Sequence, residues 1–390
     1  MNKQVKYVGF YDLVDSKHQR SAYLSAINKM NYIAETIVAT GKKVEIVSPA
    51  WFIDKSAPIT MKKNVNISED IQLILAPSFP TRNRVTGKFK YYFSQFWMFL
   101  WLINNIQKNE EIIAYHSLAL ITPLYWAKKI KRFNLIYEVE EIYTDVINYG
   151  KLKRKYEFKM FNCADKYIFP TKLLNEKINK EDKPYTIIHG TYKVEKNRDC
   201  KFNDDRIHIV YAGTFDPIKG GAISTANSAE YLGENYHIHI IGFGTDEQIK
   251  NLKDKISQIS KKTKCRLTYD GIYSGEEYIK FLQKCDIGLS TQNPDGEYND
   301  TSFPSKVLSY MVNGLRVVST KIKVLKESKI NDLIYYYEGN TPKAIANAIK
   351  NIDFYDGYNS IKTIERLNSE FTENMELLLE ARNMESNSKS

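Results

Sequence analysis

Cysteine is scarce in this chain, and what there is of it is scattered. Cys163, Cys200, Cys265 and Cys285 form no C-x-x-C pair. Neither a disulfide scaffold nor a structural zinc site is expected, and a reducing, cytoplasmic compartment fits. The six histidines show no ligand spacing, so no metal site is expected either. Long apolar runs are also missing. The best is Phe96–Ile103, FWMFLWLI, far short of the ~20 residues that a membrane span needs. It reads as a buried helix, with contact to a lipid headgroup layer as the alternative. Met1–Asp12 lacks the basic start, apolar core and small-residue cleavage site of a secretory signal. No fixed period or biased tract appears, which excludes collagenous and repeat folds.

What is present points to a folded, multidomain protein. The 390 residues are 43% hydrophobic and carry 56 Lys+Arg against 46 Asp+Glu. That is ample apolar material with mixed charge, so disorder is excluded. At ~100–200 residues per domain, two or three domains are expected. The charge is lopsided. Residues 1–200 hold 32 Lys+Arg and 20 Asp+Glu, and the remainder holds 24 and 26. Two dense basic runs, Lys128–Arg132 and Lys151–Lys155, lie in the first half. They are either a solvated surface or a seat for an anionic partner such as nucleic acid, phospholipid or a phosphorylated acceptor.

Strand and helix patterns alternate along the chain, as in parallel sheets covered by helices. Val5–Tyr11, Val44–Val47, Leu73–Leu75, Ile112–His116, Leu135–Val139, Tyr167–Phe169 and Thr186–His189 read as strands of a first half. Ser21–Thr40 is helical and stops at Gly41. A polar stretch from Lys193 to Arg206 is the best linker. A second series follows, with strands at Ile207–Tyr211, Ile238–Ile241, Leu267–Tyr269, Ile287–Ser290, Val317–Ser319 and Leu333–Tyr337. Ser274 with Glu277 predicts a capping box, and Thr341 before Pro342 predicts an N-cap with proline at N1. Ile361–Met384 reads as a long final helix.

Three segments carry chemistry. In Tyr211–Gly221, YAGTFDPIKGG, a strand runs into Gly213, and Lys219 with two glycines precedes a helix. Helix-start amides plus a lysine make an anion site suited to a diphosphate, although an ordinary βα turn has the same outline. The P-loop order is absent. Ile240–Thr245, IIGFGT, has Gly-x-Gly after a strand but no third glycine, so it is a close-approach site or a simple turn. Asp295–Gly314 holds Asp295, Glu297 and Asp300 in a loop. Pro304 then opens a helix at N1, with Ser302 or Phe303 as cap and Ser305 and Lys306 in its first turn. A lysine there opposes the helix dipole unless a bound phosphate resolves the conflict.

Together, AGTFDPIKGG, IIGFG, DGIYSGEEYIKFLQKCD and SFPSKVLSYMVNGLRVVST resemble the donor half of GT-B glycosyltransferases of the retaining family 4 type. The first half agrees through HQRSAYLSAINKMNYIAETIVATGKKVEIVSP, IFPTKLLNEKI and IIHGTY. The resemblance implies an α/β fold of two facing Rossmann-like domains with parallel sheets and a C-terminal crossover helix. The acceptor-binding domain is expected over 1–195 and the donor-binding domain over 206–352. A helical segment over 353–385 is expected to pack back toward the first domain, with a frayed tail at 386–390. Gly213, Thr214, Lys219, Ser305 and Lys306 match the donor diphosphate site. His116 matches a catalytic histidine facing the transferred sugar, and Gly242, Gly271, Ile272 and Tyr273 match the base site. The two glutamates usual across the last helix are Thr301 and Ser309 here, and the arginine after the donor glycine is Thr214. Hydroxyls hold sugar or ribose more weakly than carboxylates. Asp295, Glu297 and Asp300 are either solvated loop acids or substitutes that reach the sugar hydroxyls.

The resemblance implies retaining, metal-independent transfer of a hexose-type sugar from a UDP- or GDP-linked donor, with no other cofactor. The expected acceptor is a saccharide or a polyprenyl-diphosphate-linked sugar of bacterial surface polysaccharide synthesis. A basic first half suits the inner face of a cell membrane. A nucleotide-sugar epimerase or phosphorylase on the same scaffold, and a weakened sugar-nucleotide-binding protein, stay open. A nucleic-acid binder is disfavoured, because no aromatic-basic RNA motif accompanies the charge.

Overall fold

The structure is a computed structural model that describes residues 4–13, 16–81, 83–146, 150–217, 220–294, 296, 299, 302–339 and 341–381. The chain divides into two compact units, 1–191 with 370–390, and 192–369.

The first unit runs Gln4–Val8 (β1), Leu24–Ala39 (α1), Lys43–Ser48 (β2), Lys63–Asn66 (β3), Ile71–Leu75 (β4), Arg84–Asn105 (α2) and Glu111–Tyr115 (β5). It continues with Ile121–Lys131 (α3), Asn134–Glu138 (β6), Tyr143–Val146 (α4), Lys151–Cys163 (α5), Lys166–Phe169 (β7), Lys172–Ile178 (α6) and Tyr185–Ile187 (β8). The strands form one sheet in the order β3-β4-β2-β1-β5-β6-β7-β8. All pairs are parallel except β3 with β4. Strand order reverses between β1 and β5, which opens a crevice at their carboxyl ends. The central strands are apolar on both faces, as helix-covered parallel strands must be. Ile112, Ile113, Leu135, Ile136 and Tyr137 are fully buried, and each large side chain contributes about 1.5–3 kcal/mol.

The helix α2 inverts the usual pattern. Asn83 and Thr86 close a capping box at its start. Its inner seam begins with Lys90, which donates to the Phe52 carbonyl, and Ser94, which donates to the Pro49 carbonyl at 2.6 Å. Met98, Trp101 and Leu102 complete that seam. The outer seam is Val85, Phe89, Tyr92, Phe96 and Leu100, all exposed. Phe96–Ile103 is thus one half of an amphipathic helix and not a wholly buried one.

The second unit holds Ile207–Thr214 (β9), Gly221–Ser228 (α7), Tyr236–Phe243 (β10), Asp246–Ser260 (α8), Arg266–Gly271 (β11), Gly275–Gln283 (α9) and Ile287–Ser290 (β12). Ser305–Met311 (α10), Arg316–Thr320 (β13), Lys323–Lys326 (α11), Ile334–Tyr337 (β14), Pro342–Lys350 (α12) and Ser360–Glu380 (α13) follow. The sheet order is β11-β10-β9-β12-β13-β14, parallel throughout. Here the reversal falls between β9 and β12. The polar stretch after Lys193 is tied to this unit: Glu195 N–H donates to the Val312 carbonyl, and Arg198 pairs with Glu276 at 3.2 Å. The last helix, α13, starts within the second unit, and from Glu370 onward its residues belong to the first.

Candidate functional site

The site is assembled where β9 and β12 part. Tyr310, on α10, is fully buried and lies between them. Its hydroxyl accepts from the Ala212 N–H at 2.9 Å and donates to the Leu289 carbonyl at 3.2 Å. A phenol thus stands in for ladder bonds, and β9 and β12 pair only through Ile209 with Ile287 and Val210 with Gly288. Gly288 is required because a Cβ there would run into the Tyr310 ring. Burial first, then the neighbouring Tyr278, pushes the Tyr310 hydroxyl well above its ordinary pKa, so it stays a neutral hydrogen-bonding group.

Around this opening the sequence supplies two helix starts whose cap positions carry no side-chain acceptor. Gly220 precedes α7 with φ +64°, and Pro304 precedes α10. Pro304 is the cap, one position earlier than the N1 place expected for it. Both starts therefore leave first-turn amides for solvent or a ligand. Gly221 lies so close to Tyr211 that a Cβ would come within 2.6 Å of its hydroxyl. Thr291, just past β12, donates to the Gly221 carbonyl at 2.8 Å and pairs with Thr225 at 2.9 Å. These contacts fix the start of α7 against the end of β12.

Lys306 reaches from the first turn of α10 to the end of β9. A Cβ on Gly213 would lie 2.7 Å from its ammonium nitrogen. That nitrogen sits 5.0 Å from the centroid of the Tyr211 ring. Gly213, Thr214, Ser305 and Lys306 are therefore gathered at one place, and Thr214 and Ser305 are exposed there. Next along the sheet edge comes Gly242, in register with Gly213. Its lack of a side chain serves the sheet, since a Cβ would meet the Gly213 carbonyl. Beyond it, β11 ends at Gly271 (φ +91°), then Ile272, exposed, and Tyr273, stacked on Phe281 at 4.6 Å. Two strand spacings separate β9 from β11, about 10 Å, the scale of a nucleoside diphosphate between phosphate and base. Ser309 is one turn along α10, and its hydroxyl pairs with that of Tyr278 at 3.0 Å.

Lys219, Asp300 and Thr301 lie outside the described residues, as do Asp295 and Glu297. His116 stands apart from this cluster in the first unit. It follows β5 as expected but is only 1% exposed, enclosed by Tyr137, Tyr143 and Phe161. Its Nε2 is 3.3 Å from Glu157 Oε1. Burial drives its pKa down to about 3, so the ring is neutral. Close by, Glu138 is also fully buried and accepts from the Tyr7 hydroxyl. Burial, then the Glu140 carboxylate, raises its pKa to about 8 against the pull of Lys29 and Tyr7. Apart from these, His208, His237 and His239 meet inside the second unit.

The architecture has clear counterparts among solved structures. A trehalose 6-phosphate synthase from Burkholderia multivorans aligns over 97% of this chain and 94% of its own, with TM-score 0.63 at 9% identity. This is the GT-B fold. Two further GT-B structures agree. HepE of Anabaena, in complex with UDP and glucose, matches over 96% of this chain and 98% of its own (TM-score 0.59, 11% identity). The catalytic domain of starch synthase IV from Arabidopsis thaliana, bound to ADP and acarbose, matches over 97% and 95% (TM-score 0.58, 10% identity). No family model matches the sequence, and no curated protein matches it.

Tyr310 and Thr291 were not legible as site residues. An isolated glycine inside the strand pattern IGLS was the one available signal, since such a glycine marks a close approach.

Proposed function

We propose that this protein is a glycosyltransferase that moves a hexose-type sugar from a UDP- or GDP-linked donor to a saccharide or polyprenyl-diphosphate-linked acceptor. The observation that carries this reading is Lys306 held beside Gly213 at the strand-order reversal, between two helix starts without side-chain caps. A site of this kind suits a diphosphate. In the reaction the bond from the sugar's anomeric carbon to phosphate breaks, and a bond to the acceptor oxygen forms. Lys306 and the helix amides stabilise the charge that gathers on the departing phosphate. That phosphate takes the acceptor's proton on the same face, which retains configuration. Lys219 is the second cation of this scheme, and the positive field requires no metal ion at the reacting centre. The nucleotide-bound GT-B structures named above support the same class of donor.

The acceptor reading draws on the first unit. A cavity of about 680 Å³ there is lined by Trp51, Tyr91 and Tyr92 together with Lys55, Arg84 and Lys88. Aromatic faces pack on sugar rings, and three cations suit a phosphorylated acceptor. The exposed apolar row on α2, with Trp126 and Ile130 on α3 and Leu152 and Tyr156 on α5, favours a lipid surface over water. The basic runs add attraction to an anionic leaflet, about 1 kcal/mol per charge near the surface. Lys128 is spent internally, paired with Asp165 at 2.5 Å, and Arg154 pairs with Asp145. The protein is thus proposed to act in bacterial surface polysaccharide synthesis from the inner membrane face.

The test is a panel of nucleotide sugars, with and without lipid-linked acceptor. Nucleoside diphosphates should raise the melting temperature, and one donor should be consumed with a retained product. A panel that neither stabilises nor turns over refutes the reading. Binding without turnover leaves a sugar-nucleotide-binding protein, and an epimer or sugar phosphate as product leaves the epimerase or phosphorylase alternative. Phe89→Asp with Phe96→Asp should abolish flotation with anionic vesicles, and retained flotation refutes the membrane role.

A further inference from the structure

Three of the six histidines in the chain are gathered in one buried cluster. His237 and His239 are two apart on β10, so they share a face, and His208 on β9 is in register with His237. One ring nitrogen from each lies within 4.8 Å of the others.

The hydrogen bonds fix which nitrogens carry protons. His208 Nε2 lies 2.7 Å from Asp204 Oδ1, and His239 Nδ1 lies 3.1 Å from Asp270 Oδ2. Carboxylates only accept, so both of these nitrogens are N–H donors. Thr268 donates to Asp270 Oδ2 at 2.8 Å, so its oxygen accepts from His237 Nε2 at 3.0 Å. Every outer nitrogen therefore bears the proton. Three lone pairs remain: His208 Nδ1, His239 Nε2 and His237 Nδ1. The first two face each other at 2.9 Å. The third is buried and has no hydrogen-bond partner among the described residues. A proton shared by the first pair would still leave His237 Nδ1 without one. A single divalent cation satisfies all three.

We propose that His208, His237 and His239 bind one divalent transition-metal ion, with Zn²⁺ as the best fit. Imidazole nitrogens suit Zn²⁺, Cu²⁺ and Ni²⁺ and not Mg²⁺ or Ca²⁺. Asp204 and Asp270 on the outer nitrogens give the carboxylate–histidine–metal arrangement that orients ligating rings. Their two negative charges balance the ion, and Arg206 shares Asp204 at 2.8 Å. Zn–N bonds of ~2.0–2.1 Å in a tetrahedron set nitrogens about 3.3 Å apart. The His208–His239 pair at 2.9 Å is near that spacing already, and one ring nitrogen of His237 lies within 4.8 Å of both. Water completes the fourth position. Phe202 stacks over His208 at 4.1 Å and His239 at 4.7 Å and roofs the site. His208 precedes Gly213 by five residues, about 16 Å along the strand. The ion therefore staples β9 and β10 to the segment around Phe202 and takes no part at the proposed diphosphate site.

The experiment uses the full-length protein, stripped with EDTA and titrated with Co²⁺ and then Zn²⁺. One Co²⁺ per chain should give the intense visible absorption of a four-coordinate site, Zn²⁺ should displace it, and either ion should raise the melting temperature. His237→Gln and Asp270→Asn should weaken binding by at least ~10-fold, while His18→Asn and His189→Asn should not. In the unaltered chain, Zn²⁺ should shift the ring-nitrogen resonances of three histidines out of six, a readout that needs no variant to fold. Absence of the cobalt spectrum, affinity unchanged in both His237→Gln and Asp270→Asn, or no histidine shifts with Zn²⁺ would each overturn the assignment.

Discussion

Replacing Gly213 with alanine isolates the contribution of Lys306. The new methyl carbon would lie 2.7 Å from the lysine nitrogen and closer still to the carbon before it. Ordinary contact needs about 3.5–4.0 Å, so the ammonium has to withdraw by roughly 1 Å. Only the tip of a flexible side chain is in the way, but Gly213 sits at φ +157°, which strains any L side chain, so the fold should absorb the change at a cost of about 1–3 kcal/mol. The ligand should not absorb it. A hydrogen bond to a charged group contributes about 1.5–3 kcal/mol, which is roughly a 10- to 150-fold rise in Kd. Isothermal titration with UDP, GDP and ADP measures it, with Lys306→Met as companion. If Gly213→Ala binds as tightly as the parent while Lys306→Met does not, the ammonium does not meet the diphosphate from the position described. If both bind normally, the site itself is misassigned.

Gly242→Ala should behave in the opposite way, because the methyl meets the Gly213 carbonyl and the residue sits at φ +134°. The backbone must shift, and urea unfolding should show a loss of about 2–4 kcal/mol. His116 has a native pKa of about 3 against 6.5 unfolded. The unfolded chain therefore binds the extra proton, and stability is lost as pH falls from about 6.5 toward 3, by up to about 1.4 kcal/mol per pH unit. His116→Phe should flatten that limb in unfolding curves taken across this range. Glu138 has the reverse sign. Its native pKa of about 8 exceeds 4.5, so the native state keeps a proton that the unfolded state releases, and stability falls as pH rises between these values. Glu138→Gln should gain on the parent between pH 5 and pH 8, and an unchanged difference would mean the carboxyl is not held neutral.

Elements that depend on local sequence were the readable ones. Leu24–Ala39 falls inside the expected helix and ends before Gly41, whose φ is +80°. Thr341 caps α12 through Ala344 N–H, with Pro342 at N1 as the sequence predicts. Ser274 is the cap of α9 but makes no side-chain capping bond, because Gly275 enters the helix at φ +53°. Gly213, Ser305 and Lys306 were readable through their motif. Tyr310 and the histidine cluster were not, because both depend on which strands lie side by side. The spacing of His237 and His239 shows a shared face, but only the β9–β10 register brings in His208. The burial of His116 was not readable either, because a strand-end position says nothing about what Tyr143 and Phe161 do above it.

The phenol of Tyr310 has a further consequence for how ligands are met. A crevice that must be pried open charges its opening energy against every molecule that enters. Here the gap is propped by a buried hydroxyl bonded to both banks, so its floor keeps its shape when empty. Under the proposed function, discrimination among nucleotides belongs to the surrounding loops, and exchanging those loops should change the preferred ligand without rebuilding the sheet.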